Sequence, residues 1–305
     1  MAMRAVMPPM KLAITGASGQ LGSYLMDLTL EEHQVVGIDL RESPFPEHRP
    51  NIVMQDIRDL AAMRGELRGC DVVVHCAAQV SVVNSINDPL NDLSMNVQGT
   101  ISLLQAAVER GVSKFIYISS AAVYGDPVKV PIDEMHPLNP KSPYGASKMS
   151  AEQYCRVFAE TKKLPYLVIR PFNFYSPRAD PKSPYSGVIT KFVEWAKAGQ
   201  PLLVDGDGEQ TRDFIHAEDV ARMIISAAKS KVSNVTLNCG SGKGTTVNEL
   251  ARTVVASSGK DSDIRHIAPR VGDIRHSVSD VSGSRRMLGF QPRITLGKGI
   301  QGFFA

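Results

Sequence analysis

The sequence predicts an α/β protein: a doubly wound parallel sheet with helices on both faces, followed by a smaller C-terminal lobe. Three observations predict it. Short apolar runs rich in Val and Ile alternate with segments of helical periodicity through the first half of the chain. Helices, not two-residue turns, separate those runs, which is the pattern of a parallel sheet covered on both sides. After Pro171 the texture changes. Pro, Gly and Ser cluster between Ser176 and Gly187 and again between Pro201 and Gly208, as in a loop-rich lobe.

Taken in order, Lys11 to Thr15 (KLAIT) reads as a strand and Leu21 to Leu30 as a helix. Gln34 to Asp39 (QVVGID) is a second strand, and Gln55-Asp56-Ile57 ends a third extended segment. A helix over Leu60 to Leu67 precedes a strand at Asp71 to Cys76 (DVVVHC). Asn96 to Arg110 carries Val97, Ile101, Leu104, Ala107 and Val108 at helical spacing. Phe115 to Ser119 (FIYIS) is a strand, Tyr144 to Thr161 a helix, and Tyr166 to Arg170 (YLVIR) a strand. Right-handed crossovers make such an order doubly wound. Farther on, Thr246 and Glu249 form a capping box that opens a helix reaching Ser257. A short helix over Ser282 to Leu288 stops at Gly289. Gly240 to Gly244 (GSGKG) lacks the spacing of a phosphate loop and reads as a flexible strand-to-helix turn.

Composition narrows the function. Of 305 residues, 43% are hydrophobic and 21% charged, as in an ordinary soluble protein with a sizeable core. A net charge of +3, evenly spread, gives no argument for nucleic acid. Cys70, Cys76, Cys155 and Cys239 show no zinc-ligand spacing and read as reduced, buried residues of a cytoplasmic protein. Met1 to Met10 lacks a long apolar core, so neither a signal peptide nor a membrane span is expected there, and no later stretch is apolar enough to span.

Thr15-Gly16-Ala17-Ser18-Gly19-Gln20-Leu21-Gly22 follows the first strand and opens the first helix. One glycine makes the tight turn, one lets the backbone approach a pyrophosphate, and one lets helix and strand pack closely. The helix N-terminus then offers free N–H groups and a positive dipole end to phosphate. Asp39 ends the second strand, where a carboxylate accepts ribose hydroxyls and repels a 2′-phosphate. NAD is therefore favoured over NADP, although Arg41, after Leu40, could soften that repulsion. Asp56 and Ile57 stand where a side chain could meet the adenine.

Pro143-Tyr144-Gly145-Ala146-Ser147-Lys148 is the segment that suggests redox chemistry. Tyr144 and Lys148 are one helical turn apart, so they share a face. A free tyrosine has a pKa of about 10 and is a poor base at neutral pH. A nearby ammonium favours the phenolate, and an oxidised nicotinamide adds more positive charge. Such a pair suits removal of a hydroxyl proton while hydride leaves the same carbon. Ser119-Ser120 ends the preceding strand, where a hydroxyl could hold the substrate oxygen. A Tyr/Lys pair alone would be an ordinary helix-surface pair; the glycine loop, Asp39 and Ser120 together make the redox reading.

With these motifs the chain resembles the extended short-chain dehydrogenase/reductase family, in its nucleotide-sugar epimerase/dehydratase branch. The resemblance runs from about Lys11 to the C-terminus. It rests on TGxxGxxG, Asp39, Asp56-Ile57, His75-Cys76-Ala77-Ala78-Gln79, Asn96-Val97-Gln98-Gly99-Thr100, SSAAVYG from Ser119, YGASK, Arg170-Pro171-Phe172-Asn173 and GDGEQTRDFIHAED from Gly206. It implies a Rossmann-type NAD domain over 10–172 with a returning segment near 209–239, and a sugar-nucleotide lobe over 173–208 and 240–305. It implies that Tyr144 is the base, that Lys148 holds the nicotinamide ribose and tunes Tyr144, and that Ser120 is the catalytic Ser/Thr. Gly16, Ser18, Gly19, Gln20, Leu21, Asp39, Leu40, Arg41, Asp56, Ile57, Cys76, Ala77, Ala78, Gln79, Asn96, Ser119, Pro171 and Phe172 would line the cofactor. Asn173, Gly187, Val188, Arg212, Arg270, Asp273 and Ser277 would meet the substrate, the arginines on a nucleotide diphosphate and Asp273 on its ribose. Forked, permanent cations suit a diphosphate.

In dehydratases of the branch an Asp-Glu pair follows the catalytic Ser/Thr; here Ala121-Ala122 stands there, which argues against dehydration. The rest most resembles UDP-hexose 4-epimerases. A small residue at Ser277 would leave room for an N-acetyl group, so UDP-N-acetylhexosamines join UDP-glucose and UDP-galactose as expected substrates. Ser176 stands where the family usually has Gly, and Val204-Asp205 lacks an aromatic that often stacks on the base. The resemblance also implies a homodimer built from helices near Leu90–Arg110 and Ser147–Thr161. Alternatives are another sugar-nucleotide epimerase, such as one for UDP-glucuronate, an NAD(P)-dependent reductase of non-nucleotide carbonyls, and a dinucleotide-sensing regulator. The carbonyl reductase would not need Arg212, Arg270 and Asp273; the regulator would not need Tyr144, Lys148 and Ser120.

Overall fold

Seven parallel strands form the centre of the protein, in the order β11-β6-β5-β4-β1-β2-β3. The computed structural model describes residues 8–179, 187–270 and 273–305. In chain order the elements are β1 (Lys11–Thr15), α1 (Gln20–Thr29), β2 (Gln34–Asp39), β3 (Ile52–Met54), α2 (Leu60–Glu66), β4 (Val72–His75), α3 (Val82–Asn87), α4 (Pro89–Leu93), α5 (Gly99–Glu109), β5 (Lys114–Ile118), α6 (Pro143–Lys162) and β6 (Tyr166–Pro171). They continue with β7 (Phe174–Tyr175), α7 (Val188–Lys197), β8 (Leu202–Asp205), β9 (Thr211–Asp213), β10 (Ile215–His216), α8 (Ala217–Lys229), β11 (Val235–Cys239), β12 (Gly244–Thr246), α9 (Val247–Ser258), β13 (Ile264–Ile267), β14 (His276–Ser277), α10 (Ser282–Leu288) and α11 (Leu296–Gln301).

The strand order reverses direction at β1, so helices cover both faces. One core layer joins α1 and α8 to the sheet through Leu25, Met26, Ile14, Ile116, Met223 and Ile224. The other joins α2, α5 and α6 through Met63, Leu67, Leu103, Phe115, Ala151 and Cys155. The central strands are buried on both faces, which is why they read as continuous apolar runs. β11 returns to the big sheet beside β6, while β9, β12 and β14 form a small separate sheet. A third apolar cluster lies under α7, α9 and α11.

Two expectations need correction. Asn96 does not sit in a continuous α-helix: Ser94–Gln98 is a π-helical turn, and the α-helix begins at Gly99. Widened turns of this kind occur where a helix accommodates a functional or buried group, and Asn96 is buried in it with four polar partners in the protein (Gln79 through two bonds, Asp92, Ser147 and Thr100). Gly240 to Gly244 is not a flexible turn into a helix. Its last residue opens β12, and the buried Asp213 carboxylate accepts hydrogen bonds from Ser241 N, Ser241 Oγ and Gly242 N. The same carboxylate accepts the Ser279 backbone N–H and is held by the Ser279 hydroxyl, so it pins the GSGKG segment to the chain beyond β14. The capping box at Thr246 and Glu249 and the Gly289 stop stand as expected. All four cysteines are free, and only Cys76 is partly exposed. Residues 1–7, Val271 and Gly272, and the 180–186 part of the Pro/Gly/Ser-rich segment lie outside the described residues. No described helix is long and apolar enough to cross a membrane.

Candidate active site

The glycine loop leaves β1 and enters α1 against the exit of β4. Gly16 has φ +68°, and a Cβ there would stand 2.8 Å from Ala77 N, so only glycine lets the loop pass. Gly19 caps α1 with no side-chain cap, leaving the first-turn N–H groups of Gln20 and Leu21 as the kind of donors a pyrophosphate takes. Asp39 ties the loop to β2: its carboxylate accepts Ser18 N at 3.0 Å and Arg41 N at 3.2 Å. Ser18 Oγ donates to Arg41 O, and Gln20 reaches Ser176 Oγ at 3.0 Å. Leu40 and Arg41 are exposed beside them.

Not every residue expected around the cofactor turns its side chain to the cleft. Ile57 is buried in the core, where it fills the space beside Gly99. Asp56 is held by Arg58 through a 2.6 Å ion pair, and the Arg58 hydrogen bonds keep its carboxyl below the ordinary value. Leu21 and Phe172 are also core residues, Phe172 packing with Val123, Tyr124 and Ile132. Pro171 is buried at the end of β6, paired with Cys239. At such positions only the backbone is available to a ligand. Cys76, Ala77, Ala78 and Gln79 line the exit of β4, partly exposed. Burial raises the Cys76 thiol to about 12, so it is no nucleophile at neutral pH. Asn96 joins this exit to α6: its side chain bonds both the Gln79 backbone and Ser147 Oγ.

The redox candidates come together. Ser142 caps α6 through Gly145 N, and Pro143 occupies its first turn. Tyr144 and Lys148 follow on one face. Gly145 permits the approach of Ala122: a Cβ there would lie 2.7 Å from Ala122 O. That close contact brings the segment after β5 against α6 and sets Ser120, whose Oγ accepts Ala122 N, where it acts on the Tyr144 phenol. Burial raises the Tyr144 phenol, and the Ser120 bond opposes that shift. Lys148 is buried, donates to Ile118 O at 2.7 Å and lies 4.7 Å from the Tyr117 ring centre. Burial lowers its ammonium to about 8. Beside them Ser119 Oγ is buried with no partner among the described residues, a donor a bound ligand could use. Together with the helix N-terminus as donor and the Asp39 carboxylate as acceptor, this set fits a dinucleotide.

A buried pair braces the same region. Arg170 of β6 meets Glu152 of α6 at 2.6 Å and donates to Tyr124 Oη, which donates to Asn238 of β11. The sequence offered Arg170 only as part of a motif.

Two of the substrate candidates, Arg212 and Ser277, sit on the small sheet. Arg212 of β9 pairs with Asp273 at 2.6 Å, and Ser277 of β14 is the strand partner of Arg212. Burial lowers the Arg212 guanidinium, Asp273 opposes that shift, and Arg270 adds to it. Arg270 itself is exposed, 3.3 Å from Asp205. Asn173, exposed after β6, donates to Asp213 O at 3.3 Å. Gly187 caps α7, and Val188 packs against the cluster under that helix.

A sequence profile of the NAD dependent epimerase/dehydratase family matches residues 12–240. The chain belongs to this family. It is 36% identical over 303 residues to a UDP-glucose 4-epimerase of Mycolicibacterium smegmatis, covering 95% of this chain and 96% of that one. The structure of a UDP-glucose 4-epimerase from Thermotoga maritima, with UDP-glucose, superposes with TM-score 0.91 at 35% identity over 97% of both chains. A UDP-N-acetylglucosamine 4-epimerase from Methanobrevibacter ruminantium superposes with TM-score 0.91 at 32% identity, over 97% of this chain and 99% of that one.

Several residues at the site carried no assigned role in the sequence: Thr15, His75, Asp92, Thr100, Ser147 and Asp213. The one local signal was a histidine closing a run of valines, VVVH, which places an ionisable group at the end of a buried strand.

Proposed function

We propose that the protein is an NAD-dependent UDP-sugar 4-epimerase, with Tyr144, Ser120 and Lys148 as its reacting centre. The observation that carries this reading is the convergence of Ser120, Tyr144 and Lys148 where α6 meets the exit of β5: Lys148 donates to Ile118 O there, and Ser120 acts on the Tyr144 phenol. We assign the cofactor to 10–172 with the returning segment near 209–239, and the sugar nucleotide to 173–208 and 240–305.

Bound NAD supplies the hydride acceptor and gives the hydride back. Ser120 holds the C4 oxygen of the sugar through its hydroxyl, and Tyr144 takes the C4 proton on its phenolic oxygen. The Ser120 hydroxyl opposes the burial that keeps Tyr144 protonated, and Lys148, one turn on, adds positive charge to the site. Tyr144 returns the proton to the 4-keto sugar once the other face is presented. Ala121 and Ala122 offer no acid or base for elimination of water. Arg212 and Arg270 grip the diphosphate in exchange for their carboxylate partners, and Asp273 turns to the ribose. The small Ser277 leaves space for an N-acetyl group, so both UDP-glucose/galactose and UDP-N-acetylhexosamines are substrates.

Purified protein given UDP-glucose, UDP-N-acetylglucosamine and UDP-glucuronate separately, with no added NADH, forms the C4 epimer of the first two. Ser277→Tyr selectively loses the N-acetyl substrate; full activity on it would remove the pocket assignment.

The four free cysteines suit a reducing cytoplasm. We further propose a homodimer. Val83, Ile86, Leu90 and Leu93 on α3 and α4, with Tyr154 and Val157 on α6, are exposed apolar residues on helices that pack together. The buried side chains of α5 are turned inward, so the face is α3–α4–α6. Sedimentation of the wild type shows a dimer and Leu90→Arg shifts it to monomer; a wild-type monomer would refute the assembly.

A further inference from the structure

A line of hydrogen bonds runs through the interior from the glycine loop to the first turn of α6. Ala77 N donates to Thr15 Oγ1 at 3.2 Å, and Thr15 Oγ1 meets His75 Nδ1 at 2.8 Å. His75 Nε2 meets Thr100 Oγ1 at 2.9 Å, and Thr100 Oγ1 donates to Asn96 O at 2.6 Å. Asn96 Nδ2 donates to Ser147 Oγ at 3.1 Å, and Ser147 Oγ donates to Tyr144 O at 3.0 Å. Strand register sets the first members side by side: Thr15 pairs with His75 across β1 and β4.

The sense of each bond is forced. A carbonyl oxygen only accepts, so the single Thr100 hydrogen is spent on Asn96 O. His75 Nε2 must therefore be the donor to Thr100. With Nε2 protonated in a neutral ring, Nδ1 is an acceptor, and the Thr15 hydrogen goes to it. An imidazolium would carry a hydrogen on Nδ1 as well, and would oblige the Thr15 hydroxyl to turn from donor to acceptor. The surroundings disfavour the charged ring. His75 is 1% exposed, lies against the Phe115 and Tyr117 rings, and the charged group acting on it is the Lys148 ammonium. Burial is the larger cause, and the imidazole pKa falls to about 3.

We propose that His75, as the neutral Nε2–H tautomer, is a positioning residue: it locks the dinucleotide loop, the β4 exit and the first turn of α6 into one unit, so that Tyr144 stands at a fixed place relative to the cofactor loop. The catalytic part rests on the epimerase reading above; the tautomer does not. Replacing a link without changing its volume loosens the placement of Tyr144 and leaves the sugar-binding sheet untouched.

Two measurements test this. In 15N-edited NMR of the full chain, His75 shows a protonated Nε2 and an unprotonated Nδ1, unchanged between pH 5 and pH 9. A protonated Nδ1, or titration near the ordinary histidine value, would overturn the proposal whether or not the protein epimerises anything. Kinetically, Thr100→Val lowers kcat by about tenfold, a loss of about 1.4 kcal/mol in barrier terms, with KM unchanged. Ser147→Ala does the same, and the double variant is no slower than the slower single one, because both break one line. Unchanged kcat, effects on KM alone, or additive losses would overturn the positioning role.

Discussion

The two halves of the candidate site are built in opposite ways. Around Tyr144 most polar groups are buried and committed to protein partners, as Lys148 is to Ile118 O, Asn96 to Gln79 and Ser147, and His75 to two threonines, while Ser119 Oγ is left open. Around the small sheet the charged groups hold one another, the exposed pairs Arg270–Asp205 and Arg275–Asp207 beside the more buried Arg212–Asp273. Buried polar groups must be matched within the protein, because an unmatched one costs about 1–3 kcal/mol. Exposed ion pairs contribute little stability and exchange partners at small cost. The redox candidates therefore sit in a fixed frame, and the substrate candidates among side chains that can change partners.

Substitutions can break that contrast at either end. The largest effect is expected at Tyr144. Tyr144→Phe removes the proton acceptor and lowers kcat about a thousandfold, with folding and KM near the wild type; turnover above a tenth of wild type would assign the base elsewhere. Arg212→Ala is expected to act on binding. It raises KM for the sugar nucleotide about tenfold to a hundredfold, the range of a charge-assisted hydrogen bond, and leaves kcat largely intact. A fall in kcat with constant KM would place Arg212 in the fixed frame instead.

The last effect falls on stability against pH and not on turnover. Burial depresses the His75 pKa from 6.5 to about 3. Between those values the unfolded chain binds a proton that the folded chain does not, so stability falls as pH falls. The slope from this one group is about 1.4 kcal/mol per pH unit below 6.5. Denaturant unfolding at stepped pH shows it in the wild type, and His75→Gln flattens the dependence. Equal slopes in both would mean that His75 is protonated in the folded chain.

Local patterns carried much of the fold into the sequence. KLAIT and YLVIR are buried on both faces and QVVGID is exposed only at Gln34, a requirement that writes itself into consecutive residues. The glycine loop was legible for the same reason: Gly16 meets a backbone constraint that only glycine satisfies. What stayed hidden depends on partners far away in the chain. The π-helical turn at Ser94–Gln98 follows from Asn96 reaching Gln79 and Ser147, 51 residues on in the latter case. The pinning of GSGKG follows from Asp213, 28 residues before Ser241. Ile57 and Phe172 carried motif positions yet turned out to be packing residues, since a motif marks where the backbone passes and not where a side chain turns. Arg178 was also out of reach of local reading: it reaches back from the segment after β7 to sit over the Tyr24 and Phe45 rings, with an ion pair to Asp27.

The central claim is that hydride leaves and returns to C4 within one closed site. The direct test is to incubate the protein with UDP-glucose or UDP-N-acetylglucosamine deuterated at C4, without added NADH, and to read the product by mass and NMR. The account predicts the C4 epimer with deuterium retained at C4 and no net reduced nucleotide. Loss of the label to water, or stoichiometric NADH without an epimer, would contradict it.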